Sequence, residues 1–592
     1  MEPIKVDFTG GSGKGSGKGR GRGKDAYLVP DKSILKLIIR LIGTVVGALI
    51  AYYFMLPPMN FKSLDMYMYF AVVIAIYLGL TFVLSPKPEY TGYVKRQSIP
   101  AVVVAAALAV VVIVGFVVSS VFFRAASYHK IIAVDDQKTF ATDISEADFT
   151  AIPVLDNDSA AVLANRALGD LASINKVSQF EVSNEFTQIN YKNEPVRVTT
   201  LSYGDVFKWL KNTSTGFPGY IVVNMVSQKT DLVLLPEGQY IRYSPNEHFG
   251  KYLMRHVRFN YPTYLFDEPH FEIDEKGQPF WLCPVLDKTI GLFGGTDVKG
   301  VVIVNAITGE CNEYTIEQVK TEKELQWIDS IYSASLLVEQ YDYYGKYGGG
   351  FINSVLGQEG VKVATEGSNL LAKDDDVYMY TGVTSAGGDQ AIIGFVLINM
   401  RTKDANFYSV SGAKEYSAMI SAQGEVQDYN FTASFPILIN ISGQPTYFMA
   451  LKDSGNLVKR YAMVNVQHYQ VVVTGDTIAK CTEAYAQKLK ENNINIKVDI
   501  DRIENDTQNA AEGGQDAPEK PETVKLKGKV SDIRTAVMNG ESVYFIKLES
   551  NKAYFKIKAS DALNVVILNV GDTVTVEYEK ASGDVIDAVS VK

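Results

Sequence analysis

The sequence predicts a membrane-anchored α+β protein, with three N-terminal transmembrane helices, repeated antiparallel α+β units and a small five-stranded β-barrel at the C-terminus. Three observations carry this. Apolar runs at 37–56, 67–85 and 99–123 each approach the roughly 20 residues that span a hydrocarbon core, and nothing later is apolar enough to do so. One strand pattern recurs four times beyond them. Five short strand-like segments then fill residues 524–592.

Read in order, the chain divides into a basic Gly-rich tail (1–36), the three-helix anchor (37–123), a first α+β unit (124–235), a second (236–340), a duplicated α+β region (341–495), an acidic linker (496–523) and the barrel (524–592). The formal charge of −10 is unevenly spread: residues 1–123 hold 13 Lys and Arg against 6 Asp and Glu, which leaves −17 on the rest. Phosphate affinity needs clustered Lys and Arg, so the acidic body argues against nucleic acid as a partner.

The tail carries Lys5, Lys14, Lys18, Arg20, Arg22, Lys24, Lys32 and Lys36. The loop between spans two and three adds Lys87, Lys95 and Arg96, whereas the first loop has Lys62. Positively charged loops stay cytoplasmic. The expectation is a multi-pass protein of the cell membrane, with its N-terminus inside and residues 124–592 extracytoplasmic. The late start of the first span, and Pro57-Pro58 after it, argue against a cleaved signal peptide. Gly43 and Gly47 form a GxxxG on that span, which suits packing within the chain or a homo-oligomer. Arg40, near a span end, is expected to snorkel toward the headgroups.

The tail segment Gly10-Gly11-Ser12-Gly13-Lys14-Gly15-Ser16-Gly17-Lys18-Gly19 looks superficially like a phosphate loop. Gly follows both lysines where Ser or Thr is needed, and no strand precedes. A flexible arm against anionic lipid headgroups fits better.

The recurring strand reads Gly219-Tyr220-Ile221-Val222-Val223-Asn224, then Gly300-Val301-Val302-Ile303-Val304-Asn305, then Gly394-Phe395-Val396-Leu397-Ile398-Asn399, with a degenerate Tyr461-Ala462-Met463-Val464-Asn465. Apolar β-formers closed by a polar turn read as buried strands entering hairpins. Gly277-Gln278-Pro279 precedes the second copy and Gly443-Gln444-Pro445 the fourth, each followed by an apolar run and then Val-Lys. Two offsets in one order imply a duplicated antiparallel unit. Helices are expected at 159–172, 202–211 and 477–490, with Asp158 or Ser159, and Asp476 or Thr477, as N-caps.

The strand 277–286, the strand 301–305 and the turn Thr308-Gly309-Glu310 resemble the PepSY module, a small extracytoplasmic α+β domain; residues 443–473 resemble it more loosely, without the Thr-Gly-Glu. The resemblance implies protein interaction or regulation at the cell envelope, sometimes restraint of peptidases, and supplies no catalytic residues.

Strands expected at 524–533, 542–548, 553–558, 573–578 and 585–591, with an apolar insert at 562–568, resemble an OB-type barrel. That resemblance implies binding of oligonucleotides or oligosaccharides. Tyr544, Phe545, Tyr554 and Phe555, with Lys525, Lys527 and Lys529 in one row, would suit a single strand. The near balance of acid and base, and a position outside the membrane, favour a structural barrel or contact with protein or glycan.

Catalytic signatures are sparse. His129, His248, His256, His270 and His468 are scattered and form no HExxH. Ser411-Gly412-Ala413-Lys414 fits SxxK without a following KTG. Asp374-Asp375-Asp376 lacks the EF-hand order and reads as a solvated hairpin end rather than a Ca²⁺ site. Cys283, Cys311 and Cys481 lack zinc spacing; the first two suit either one bridge or small buried hydrophobes. No cofactor or metal is expected.

Two segments are candidate contact surfaces. Tyr341, Tyr343, Tyr344 and Tyr347, before three glycines, read as a mobile aromatic loop. Arg255, His256, Arg258 and Tyr261 mix basic and aromatic groups, either to recognise an anionic partner or as a partly buried strand with paired arginines. The expected function is a non-enzymatic envelope scaffold or regulatory module facing an unknown envelope protein or glycan. An envelope enzyme or its accessory subunit is the alternative, and a nucleic-acid-linked membrane protein is the reading if the body is cytoplasmic.

Overall fold

In the computed structural model the described residues are 28–149, 152–174, 176, 178–373, 375–387, 391–494, 496, 498–503, 523–538, 541–558, 562–579 and 585–591. The glycine–lysine segment of the tail and residues 504–522 of the linker lie outside them. The chain forms two compact units, Met1–Ala511 and Glu512–Lys592.

Among the described residues, three helices are long and apolar enough to cross a membrane: α1 (Ser33–Met55), α2 (Leu64–Val83) and the segment Pro88–Ser119, which contains α3 (Thr91–Ser119). Helices satisfy every backbone donor internally, which lipid requires. A Cβ at Gly43 would stand 2.9 Å from Leu80 Cδ1, and one at Gly47 3.1 Å from Ile76 Cγ2. The GxxxG therefore seats α2 against α1 within the chain. Arg40 does not snorkel. It is 2% exposed, donates to Thr81 Oγ1 at 3.1 Å and Gln97 Oε1 at 3.0 Å, and lies over the Tyr77 ring. Polar side chains on the two neighbouring helices accept from both of its terminal nitrogens.

Beyond a turn at Ser120 come α4 (Val121–Tyr128), β1 (Val134–Lys138), α5 (Phe140–Asp143) and α6 (Asn157–Ala167). Asp156, rather than Asp158 or Ser159, caps α6 by accepting from Ser159 N at 3.0 Å. The first sheet holds β2 (Phe180–Val182), β3 (Thr187–Tyr191), β4 (Glu194–Tyr203), β5 (Gly219–Asn224) and β6 (Thr230–Leu234), with α7 (Val206–Asn212) between β4 and β5. The helix expected from residue 202 starts later because β4 runs through Tyr203 and Asp205 supplies the cap. After α8 (Leu253–Asn260), the second sheet holds β7 (Leu265–Phe266), β8 (His270–Ile273), β9 (Pro279–Ile290), β10 (Gly294–Asn305) and β11 (Cys311–Thr315).

Then come α9 (Ile316–Thr321), α10 (Ala334–Tyr347) and α11 (Gly350–Ile352). The third sheet holds β12 (Lys362–Ala364), β13 (Asn369–Lys373), β14 (Asp376–Ser385), β16 (Gly394–Asn399) and β17 (Ala405–Tyr408), and β1 joins it parallel to β17; β15 (Ala391–Ile392) pairs separately with β18 (Gly412–Ala413). The fourth, after α12 (Glu415–Gly424), holds β19 (Thr432–Ala433), β20 (Ile437–Ile441), β21 (Gln444–Lys452), β22 (Val458–Asn465) and β23 (Val472–Gly475), followed by α13 (Ile478–Glu491) with Thr477 as its cap.

One strand order serves all four sheets: β2-β4-β5-β6, β7-β9-β10-β11, β12-β14-β16-β17 and β19-β21-β22-β23, with β3, β8, β13 and β20 lying beside the first strand on the same long partner. The four apolar segments ending in Asn occupy the third strand of each. Their terminal Asn has a shared task. Asn224 Oδ1 accepts from Val226 N and Ser227 N, Asn305 Oδ1 from Ile307 N and Thr308 N, Asn399 Oδ1 from Arg401 N and Thr402 N, and Asn465 Oδ1 from Gln467 N and His468 N, all at 2.8–3.0 Å. Each is an Asx turn that starts the hairpin to the fourth strand.

The second sheet meets the end of α3. Ser119 Oγ accepts from Leu292 N at 2.8 Å and Phe293 N at 2.9 Å. Gly291, at φ +62°, brings the β9–β10 turn so close that a Cβ there would lie 2.9 Å from Ser119 Cα.

The second unit is a closed barrel in the order β24-β25-β26-β28-β27: β24 (Thr523–Met538), β25 (Glu541–Leu548), β26 (Tyr554–Lys558), β27 (Thr573–Glu579) and β28 (Val585–Val591). The pair β26–β28 is parallel. A 3₁₀ turn, Leu563–Ile567, links β26 to β27, and Val530, Ile546, Phe555 and Val576 form the core. A bulge near Val530 lets β24 pair β27 with its first half and β25 with its second.

Candidate functional site

Within the first unit, the first three sheets border a cleft of about 690 Å³. Phe186, Phe271 and Trp281 supply apolar wall, while Glu185, Gln188, Arg197, Glu268, His270 and Ser330 supply polar groups. The short strands β3 and β8 bring this set together. Gln188 Nε2 donates to Leu370 O at 3.3 Å, and Asn190 N donates to Asp329 Oδ2 at 2.8 Å, tying β3 to the third sheet and to the segment before α10.

His270 and Glu272 lie two residues apart on β8 and so share a face. His270 Nε2 is 2.7 Å from Ser330 O and 3.1 Å from Glu272 Oε1. The nearer carbonyl takes the N–H, so the Glu272 contact gains strength only when the imidazole is charged. Glu272 is fully buried, and its Oε2 accepts from Asp329 N at 3.2 Å. Burial, and then the like charge of Glu272, hold the Asp329 carboxyl well above the usual carboxylate range. Glu185 is also pushed up, by burial and then by Glu268.

Arg197 lies at the back, 8% exposed. It donates from Nε to Leu155 O at 3.3 Å, from Nη1 to Asn157 Oδ1 and from Nη2 to Gln188 Oε1 at 3.4 Å. Burial pushes its guanidinium down to about 10.

The residues singled out in sequence lie elsewhere. Arg255, His256 and Arg258 belong to helix α8, not to a strand, and the hydrogen bonds of their side chains run to backbone carbonyls. Arg255 donates to Tyr53 O at 3.2 Å and Phe249 O at 2.6 Å, and Arg258 to Leu56 O at 3.0 Å and to Tyr264 O. His256 Nε2 is 2.7 Å from Gly309 O, in the Thr-Gly-Glu turn, where Gly309 takes φ +78°. Tyr261 closes α8 through Val257 O at 2.8 Å. The patch is thus a seam between α8 and the end of α1.

The tyrosines form helix α10, not a loop. Tyr341 is fully buried. Tyr343 meets Tyr128 at 4.7 Å between ring centroids, Tyr344 stacks on His129 at 4.8 Å, and Tyr347 stacks on Tyr343 at 6.1 Å. Apolar ring area toward α4 made this segment helical despite its glycine-rich exit.

Asp374 lies outside the described residues. Asp376 is not solvated: it is 8% exposed and forked by Arg401 at 2.7 and 2.8 Å, so the hairpin end is an ion pair. Cys283, Cys311 and Cys481 are free thiols, and burial pushes Cys311 up to about 11. Sequence reasoning passed over Arg197, Glu272 and Asp329. The one available signal was a charge inside an apolar strand, as in Val196-Arg197-Val198. No family model matches the chain, and no curated protein matches it either.

Proposed function

We propose that the chain is a non-enzymatic, membrane-anchored interaction protein of a bacterial cell envelope, whose extracytoplasmic body serves as a scaffold or regulatory module. The cleft carries this reading: aromatic wall and a few convergent polar groups are the make-up of a recognition site. The charge difference between tail and body supports the outward orientation. The shared strand order of the four sheets supports tandem copies of one α+β unit, similar to PepSY-type modules around residues 277–310. The barrel's strand order, with its parallel β26–β28 pair, supports an OB-type module that contacts protein or glycan.

The test is protease treatment of intact cells or spheroplasts carrying a tag after Lys592, combined with photo-crosslinking from Glu268. Loss of the tag with the membrane intact, and capture of an envelope protein or glycan, are expected. A tag that survives until the membrane is breached reverses the orientation and revives the nucleic-acid-linked reading. Capture of nothing from the envelope sinks the scaffold.

One observation favours an envelope enzyme, or an accessory subunit such as a peptidase regulator: His270 lines the cleft against the buried Glu272. There its Nδ1 would act as a base, with the ring oriented through Nε2 by the Ser330 carbonyl and its charged form favoured by the carboxylate. His270→Asn separates the readings. Retained partner capture with loss of a cellular phenotype supports catalysis, and an unchanged phenotype excludes it.

A further inference from the structure

A second cavity of about 270 Å³ adjoins the cleft and shares Asn157, Arg197, Ser368 and Asn369 with it. Arg197 sits on β4 between Val196 and Val198, which are 3% and 0% exposed. All three of its acceptors, Leu155 O, Asn157 Oδ1 and Gln188 Oε1, are neutral. A guanidinium has five N–H groups. One on each terminal nitrogen therefore has no acceptor among the described residues.

The surrounding charges do not balance. Asp156, at the mouth of the cavity, is already held by Lys452 and by Ser159 N. The Lys452 side chain is 7% exposed. Lys452 lies outside the lining of the cavity, and Asp156 is also the charge that favours the Arg197 cation, so two buried cations share one carboxylate. Asp158 also lines the cavity but is solvent-exposed, and Glu185 and Glu268 line only the cleft. A buried charge without a counter-charge is disfavoured, and removing it from water strengthens its attraction for an incoming anion.

We propose that this cavity binds an oxyanion, the carboxylate or phosphate group of a ligand that enters through the cleft. Arg197 offers the two unused N–H groups, and Ser368 and Asn369 also line the cavity. Charge-assisted pairs of this kind are the strong ones. The inference rests on the cleft being a recognition site, yet a small probe tests it without any partner.

The experiment is calorimetric titration of the full chain in detergent with sodium phosphate and, separately, sodium acetate, against sodium chloride at equal ionic strength. Saturable binding of at least one probe is expected. Arg197→Gln should weaken it by roughly tenfold to a hundredfold, the worth of a hydrogen bond to a charged group. Arg197→Lys should weaken acetate more than phosphate, because lysine keeps the charge and loses the fork. Ser368→Leu, at the partly exposed rim, should block binding while leaving the unfolding temperature without probe unchanged. Phosphate alone identifies a phosphorylated ligand, and acetate alone a carboxylate.

Saturation by neither probe, or variants that bind like the parent, overturns the proposal. If Arg197→Gln fails to fold, Ser368→Leu decides. Probe binding without partner capture leaves this site standing and sinks the scaffold. Capture without probe binding does the reverse.

Discussion

Arg258 Nε donates to the carbonyl of Leu56 at 3.0 Å, and this bond joins the end of the first span to the body. Leu56 caps α1 at φ +49°, so its carbonyl belongs to the negative end of that helix. Arg258 is 5% exposed. Arg258→Met should therefore destabilise the first unit by about 2–4 kcal/mol, since it leaves carbonyls buried without a donor. Denaturant unfolding of the full chain in detergent measures it. A change below about 0.5 kcal/mol, the scale of an ordinary surface substitution, would deny the seam its role.

The Asx turns predict a contrast between two similar substitutions. Asn305→Asp keeps the accepting oxygen and should be near neutral, within about 0.5 kcal/mol. Asn399→Asp should destabilise by about 2 kcal/mol or more, because Asn399 Nδ2 donates to Asp376 Oδ2 at 2.8 Å and a second carboxylate would face the first. Matched denaturation curves test the pair, and equal effects would refute the assignment.

Asp329 predicts a pH dependence. Its folded carboxyl titrates above the unfolded value of about 3.9, so between the two values the folded state binds more protons. Its contribution to stability is therefore greatest below about pH 3.9 and declines as pH rises toward the folded value. Asp329→Asn keeps an acceptor for Asn190 N and should stabilise the protein at neutral pH while changing little near pH 4. The denaturation midpoint of each protein, followed from pH 4 to 8, reads this directly. A variant curve parallel to that of the parent would rule it out.

Phe555 is fully buried in the barrel core. Phe555→Ala should cost about 3–5 kcal/mol within residues 512–592 alone. Calorimetry should show one transition moving and the transition of residues 1–511 staying in place. A shift of both would mean that the two units unfold together.

Much of this architecture was legible because local chemistry sets it. The five barrel strands fall where alternation places them, and the segments ending in Asn224, Asn305, Asn399 and Asn465 are the third strands of four sheets. Residues 255–258 read as a strand or an anion-binding patch because the apolar face of α8, Leu253 and Val257, is only half contained in them; two of the carbonyls that hold its arginines, those of Tyr53 and Leu56, lie some 200 residues earlier. Tyr341 looked like loop because glycines follow it, and the core that buries it is shared with strands of the second and third sheets.

The sequence by itself determined three helices long and apolar enough to cross a membrane, the charge difference between the tail and the rest, the strand pattern and the barrel strands, since these depend on runs and periods along one stretch of chain. Only the tertiary structure decided the cleft. His270, Glu272, Asp329 and Arg197 come from separate elements, and their environment is fixed by what is buried beside them. Burial and opposed charge are properties of neighbours in space, and no spacing along the chain encodes them.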